Sequence, residues 1–323
     1  MRILSGIQPS GALHIGNYFG AIRQYIALQE ENEGFYFIAN YHALTSLHDR
    51  ALMDQYTLDV ALDFLALGLD PNRATLFVQS DVPEVCELSW LLSCITPMGL
   101  LERCHAYKDK VQQGLSADHG LFAYPVLMAA DILIYQSDLV PVGQDQKQHI
   151  EVTRDLAIKF NAEFGDTFKV PDGYILENTA TVPGVDGRKM SKSYGNTIEM
   201  FEEEKSLRKK IMAIKTDSTP VEDPKDPDTC NVFALYQLFA PQDKVAEMRE
   251  AYLKGGIGYG TVKKELADYA AAFFAPAREK RAALVNDMSF VKDVLREGGK
   301  RARAEAQKTV ARAVEVTGVY KSG

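Results

Sequence analysis

Apolar and polar positions in the first half of the chain set short strands between helices. Arg2-Ile3-Leu4-Ser5 is a run of β-formers, and Tyr18 to Glu30 carries Phe19, Ile22, Ile26 and Ala27 at helical spacing. Phe35 to Ala39 reads as a second strand ending at Asn40-Tyr41-His42, Met53 to Leu67 as a helix broken by Asp70-Pro71, and Ala74 to Gln79 as a third strand. Val85 to Ile95 predicts an apolar helix carrying the only tryptophan, Trp90, and residues 97–112 follow with Arg103, Lys108 and Lys110. Leu139 to Val142 is a further apolar strand, and Ile150 to Phe160 a helix that covers the sheet. Strands alternating with helices predict an α/β fold, a doubly wound parallel sheet that binds ligands at the carboxyl ends of its strands. From Asn231 the pattern is helical to the end, interrupted by Gly255-Gly256, Gly258, Gly260 and Gly298-Gly299. The expectation is a catalytic domain over 1–195 and an all-helical domain over 196–323, its last helices packing back on the first.

The 323 residues, 46% hydrophobic and 25% charged, hold no apolar run long enough to span a bilayer, and the N-terminus enters a strand without the features of a secretory signal. A cytoplasmic protein is expected. A net charge of −8 argues against a generally basic nucleic-acid-coated protein, yet leaves room for a local basic strip. Cys86, Cys94, Cys104 and Cys230 form no CxxC pair and predict buried free thiols, with no metal site.

Candidate chemistry begins at Ser5 to Asn17, a Gly/Pro/Ser-rich turn between strand and helix. Such a turn aims N–H groups at anions, Gly11 and Gly16 let a base or phosphate approach the backbone, and His14 and Asn17 add side-chain donors. A second stretch, Arg188-Lys189-Met190-Ser191-Lys192-Ser193, lies between Pro183, Gly184, Gly187 and Gly195. Its two lysines and two serines suit a polyphosphate whose charge changes during reaction. Between them, Tyr124 to Tyr135 is nearly all apolar except Asp131, a carboxylate that needs a donor from a salt bridge, a helix cap or a bound ligand. His42, just past a strand end, is either a site residue or a hydrogen-bonded structural histidine. Gly143 permits close approach, Asp145 offers acceptors for ribose hydroxyls, and Gln146 can bond an α-amino group.

Taken together, His14-Ile15-Gly16-Asn17 and Lys189-Met190-Ser191-Lys192-Ser193 resemble the two signatures of class I aminoacyl-tRNA synthetases. Gly6-Ile7-Gln8-Pro9-Ser10-Gly11, Tyr124-Pro125 with Met128 to Leu133, and Val140 to Gly143 with Asp145 to His149 extend the resemblance, in order and spacing, to the bacterial tryptophanyl family. Leu4, Asn40-Tyr41, Gln144 and Tyr194-Gly195-Asn196 depart from that family's usual residues. The resemblance implies a Rossmann-like catalytic domain, activation of L-tryptophan by ATP with Mg²⁺, transfer to tRNA(Trp), and a homodimer. The homodimer would use the apolar stretch from Val85 to Met98, for which core packing within one subunit is the alternative.

Carried onto this chain, the resemblance assigns Gln8, His14, Asn17, Lys189, Ser191 and Lys192 to catalysis. ATP binding falls to these with Pro9, Ser10, Gly16, Gly143, Gln144, Asp145, Met190 and Ser193. Tryptophan binding falls to Gly6, His42, Tyr124, Met128, Asp131, Val140, Val142 and Gln146. It also makes the helical domain a reader of the tRNA anticodon, with Lys205 to Lys215 on the backbone unless that stretch is a solvated helix face. The tyrosyl family, a small nucleotidyltransferase and a synthetase-like paralogue without aminoacylation are the competing readings. The greasy set Met128, Val140 and Val142 favours an indole over a phenol, and the second signature with a long helical domain disfavours the nucleotidyltransferase.

Overall fold

The computed structural model describes residues 1–104, 107–108, 118–143, 146–175 and 182–319. Five strands, β1 (Arg2–Ile7), β2 (Glu33–Ile38), β3 (Thr75–Val78), β4 (Leu139–Val142) and β5 (Asp172–Ile175), form a parallel sheet in the order β3-β2-β1-β4-β5. The topology is Rossmann-like: the order reverses at β1, so β1 and β4 part toward opposite sides and leave a crevice at their carboxyl ends. Register places Gly6 opposite Phe37 and Ile7 opposite Ile38. β5 was not marked by the pattern, because Asp172-Gly173-Tyr174-Ile175 is too short and too polar to read as a strand before its pairing with β4 is seen.

The chain divides into two compact units, and the division is not the expected 1–195 and 196–323. One unit comprises Met1–Gly11, Tyr25–Glu177 and Asp287–Gly323, the other Ala12–Gln24 and Asn178–Asn286. In the first, β2 and β3 are buried against helices Arg50–Leu67 and Glu84–Ser93, while His119–Ile134 and Lys147–Phe164 pack together over β4 and β5. The last helix, Met288–Thr317, lies on β3 and contributes Ala302, Ala306, Val310 and Ala313 to that core. It runs straight through Gly298-Gly299, which do not interrupt it, and Gly260 likewise lies inside the helix Tyr259–Val285.

In the second unit the first signature is tied to later chain. Ile15 donates its N–H to the Ile198 carbonyl at 2.9 Å, and Tyr18 and Phe19 enter an aromatic cluster with Phe239, Phe273 and Phe274. The helix begins at Ile15, earlier than expected, and passes through a π turn over Tyr18–Ile22 before Arg23–Leu28. Helices Glu204–Met212, Asn231–Phe239, Gln242–Lys254 and Tyr259–Val285 complete the unit.

The thiols differ from expectation: Cys104 is buried, Cys230 is intermediate, and Cys86 and Cys94 are exposed. Cys86 lies in the helix Glu84–Ser93 and Cys94 at its C-terminal cap, and the apolar neighbours of each in the chain alone cannot say which side meets water. Among the described residues no helix is long and apolar enough to cross a membrane.

Candidate active site

At the carboxyl ends of β1, β2 and β4 the first unit encloses a cavity of about 400 Å³. All eight residues expected to bind the amino acid line it: Gly6, His42, Tyr124, Met128, Asp131, Val140, Val142 and Gln146. Leu4, Ser5, Gln8, Phe37, Ala39, Ile132 and Gly143 complete most of its wall. The floor is open because residue 6 is glycine. A β-carbon there would lie 2.5 Å from the ring of Phe37, the cross-strand partner of Gly6.

Asp131, 3% exposed, is the anionic group of this cavity. The Gln79 amide donates to both of its oxygens, at 2.9 and 2.8 Å, and His42 Nε2 lies 2.8 Å from Oδ2. Asp131 is thus neither capping a helix nor paired with a lysine or arginine among the described residues, and His42 is both a lining residue and a hydrogen-bonded one. Gln79 itself cannot turn over, because its oxygen accepts the Tyr41 N–H at 3.0 Å. Sequence reasoning missed Gln79, which ends a strand as an ordinary polar residue and meets Asp131 only through the sheet.

Tyr124 and His149 share a hydrogen bond of 2.7 Å beside His42. Of the departures from the family pattern, Leu4 lines the cavity, whereas Asn40 bonds reciprocally to Ser80, donating from Nδ2 to Oγ at 2.8 Å and accepting the Ser80 N–H at Oδ1 at 3.2 Å. Asn40 and Tyr41 therefore tie the ends of β2 and β3 and stay out of the cavity wall. Gln144 and Asp145 lie outside the described residues. Pro9 is buried and Ser10 exposed in the turn after Gln8.

Within the second unit the two signatures meet. A β-carbon on Gly16 would come within 2.9 Å of His14 Nδ1 and 3.3 Å of Met190 Cβ, so glycine lets the helix start nestle against both. Asn17 accepts the His14 N–H at 3.0 Å through its amide oxygen, which leaves its NH₂ to donate elsewhere. Among the described residues His14 Nδ1, which is buried, has no hydrogen-bond partner. Burial first, and the nearby Lys192 charge second, push the imidazole down to about 4, so it is neutral at pH 7. Met190 is buried, Lys189 and Ser193 are exposed, and Ser191 opens a short 3₁₀ turn over Lys192–Tyr194. Lys189 and Lys192 thus stand on either side of a loop residue, Met190, that is buried.

A larger cavity, about 590 Å³, lies elsewhere in the second unit between Tyr236, Met248, Tyr269 and the carboxylates Glu247, Glu265 and Asp268. It contains none of the signature residues. The described residues present no group of three His, Cys, Asp or Glu side chains able to hold a metal ion. The Mg²⁺ expected with ATP therefore has no protein centre of that kind among them.

A family model for class I tRNA synthetases, W and Y, matches residues 1–275. A tryptophan–tRNA ligase of Rhodopirellula baltica is 60% identical over 97% of this chain and 98% of its own length, and one of Fusobacterium nucleatum is 55% identical over 98% of each. The crystal structure of Campylobacter jejuni tryptophanyl-tRNA synthetase, complexed with ADP and tryptophan, is 52% identical and superimposes with a TM-score of 0.92 over 99% of this chain and 100% of that one. With its parallel sheet, paired signatures and Asp-bearing cavity, the chain belongs to the class I tRNA synthetases, in their bacterial tryptophanyl branch.

Proposed function

We propose that the chain condenses L-tryptophan with ATP to tryptophanyl-adenylate and pyrophosphate, then passes the tryptophanyl group to the terminal ribose of tRNA(Trp). The observation that carries the choice of amino acid is Asp131, a buried carboxylate held by Gln79 and His42 in the wall of a cavity that also presents Met128, Val140 and Val142. Indole offers one donor and no acceptor, so a fixed carboxylate is its match, and a phenyl ring would leave that carboxylate desolvated without its partner. Met128, Val140 and Val142 take the ring faces, and Gln146 takes the α-amino group.

The tryptophan carboxylate is already a nucleophile and attacks the α-phosphate in line, so activation needs no general base. Positioning and charge stabilisation carry the step. By the resemblance, Gln8, Gly143 and Asp145 are assigned to the nucleotide, the last two to its ribose. Gly16 is assigned beside the adenosine, and His14 and Asn17 are assigned as donors to phosphate oxygens. The buried Nδ1 of a neutral His14, without a partner among the described residues, supports that role. Lys189 and Lys192 stabilise the departing pyrophosphate, and Ser191 shapes their loop.

Two copies are assigned to a dimer through Val85 to Met98, where Trp90 is 70% exposed and Met98 62% exposed. The tRNA backbone is assigned to Lys205, Lys209 and Lys215, which are exposed, while Arg208 and Lys210 are already engaged by Glu204, Asp268 and Glu202. The work is cytoplasmic.

Pyrophosphate exchange with tryptophan, tyrosine and phenylalanine tests the central assignment. Asp131→Ala is expected to raise KM for tryptophan more than Asp131→Asn, with KM for ATP nearly unchanged. Stable variants with unaltered tryptophan selectivity would end the assignment.

A further inference from the structure

Asn196 stands three residues beyond the Lys/Ser signature and is 2% exposed, though every polar group of its side chain is used. Its Oδ1 accepts the Ser191 N–H at 2.8 Å. Its Nδ2 donates to the Lys189 carbonyl at 3.1 Å and to Asp186 Oδ1 at 2.7 Å. The backbone joins in, for the Asn196 carbonyl accepts the Val185 N–H at 3.0 Å. One amide thereby grips the chain on both sides of Met190 and ties it to the turn at Asp186.

The orientation of the amide follows from its partners: turned over, NH₂ would face the Ser191 N–H and the oxygen would face a carboxylate and a carbonyl. Room for this grip comes from Gly184, where a β-carbon would lie 2.3 Å from Asn196 Cγ and Nδ2 and 2.7 Å from its backbone oxygen. Asp186 in turn accepts the Arg188 N–H at 3.0 Å and its Nε at 2.6 Å, and Arg188 lies 4.4 Å from the Tyr194 ring centroid. Among the described residues, Arg188 is the charged side chain paired with Asp186, and the other groups against the Asn196 amide are backbone. The hydrogen bond from Asn196, followed by Arg188, holds the Asp186 carboxyl down to about 2.

We propose that Asn196 is the positioning residue of the pyrophosphate loop, the group that sets the path of Lys189 to Ser191 and so the placement of both lysines. This rests on the assignment of Lys189 and Lys192 to the departing pyrophosphate. Asn196 touches no reacting atom in this scheme. It fixes the backbone on which the reacting charges are carried, and an ammonium displaced by about an ångström from a developing charge forfeits much of its effect.

Asparagine and aspartate have the same shape, which gives the test. Asn196→Asp keeps the acceptor for Ser191 but removes both donors and sets a carboxylate against Asp186. Like charges at that distance raise the proton affinity of the pair, and a shared proton would restore one donor. Pyrophosphate exchange by the full-length enzyme is measured for Asn196→Asp, Asn196→Ala and Lys192→Ala, with melting temperatures. Both Asn196 variants are expected to lose at least about tenfold in kcat while KM for tryptophan stays within about twofold. The deficit of the aspartate variant, but not of the alanine one, should shrink as pH falls from about 8.5 to 6. Wild-type kcat in both variants would overturn the proposal, as would a loss spread equally over the tryptophan and ATP parameters in step with the melting temperature. If Lys192→Ala also kept its rate, the pyrophosphate assignment itself would fall. A damaged Lys192 variant beside intact Asn196 variants would sink the positioning role alone.

Discussion

A β-carbon on Gly298 would lie 1.8 Å from the carbonyl oxygen of Leu76, so the last helix rests on strand β3 only because residue 298 has none. The obstacle is backbone in a sheet, which cannot swing aside as a side chain can. Gly298→Ala is expected to cost at least about 1–3 kcal/mol, the usual range for overpacking, through displacement of the helix. Gly260→Ala is the control: it too lies within a helix, its β-carbon would meet nothing within 4 Å, and helix propensity favours alanine there by up to about 1 kcal/mol. Denaturant unfolding that ranks the two variants equally would refute the packing account.

Gln79 keeps Asp131 supplied with donors on the side away from the cavity. Gln79→Leu should remove a buried hydrogen bond to a charged group, worth about 1.5–3 kcal/mol, and raise KM for tryptophan about tenfold or more. KM for ATP should hold. An unmoved tryptophan KM would mean that His42 alone suffices to orient the carboxylate.

Lys192→Ala is expected to slow adenylate formation far more than it weakens tryptophan binding, because charge on pyrophosphate develops only along the reaction. Removing one such donor costs about 2.7–4 kcal/mol in comparable sites. Single-turnover kinetics with an unchanged adenylation rate would refute the role.

His14 makes stability depend on pH. Its folded value, about 4, lies below the ordinary 6.5, so the unfolded chain takes up the proton first. The neutral ring's contribution is therefore complete above about pH 6.5, declines as pH falls, and levels off below about 4, a loss on the order of 3 kcal/mol. His14→Gln should flatten that part of the stability profile relative to the wild type. Parallel profiles from pH 7 to 4 would show that His14 takes its proton without cost to the fold.

Much of the candidate site was legible because its chemistry is local in the chain. Gly16 beside His14, the spacing of Lys189, Ser191 and Lys192, and an isolated Asp131 in an apolar run each announce a chemical requirement within a few residues. The eight residues assigned to tryptophan come from four separated stretches, yet all line one cavity, since β1, β2 and β4 end at the same edge of a parallel sheet and the helix His119–Ile134 shares their core.

The sequence by itself determined the alternation of strand and helix, the two signatures and the apolar character of the pocket, all of which are written in residue type and short-range period. Only the tertiary structure decided the rest. It joined Ala12–Gln24 to Asn178–Asn286, returned Asp287–Gly323 to the sheet, turned Gly298-Gly299 from a helix break into a packing surface, and set Gln79 behind Asp131 and Asn196 inside the lysine loop. Each of these depends on which backbone groups and ring faces meet across tens or hundreds of residues. A polar side chain's local neighbours do not record whether its hydrogen-bond partner will be water or a distant part of the chain.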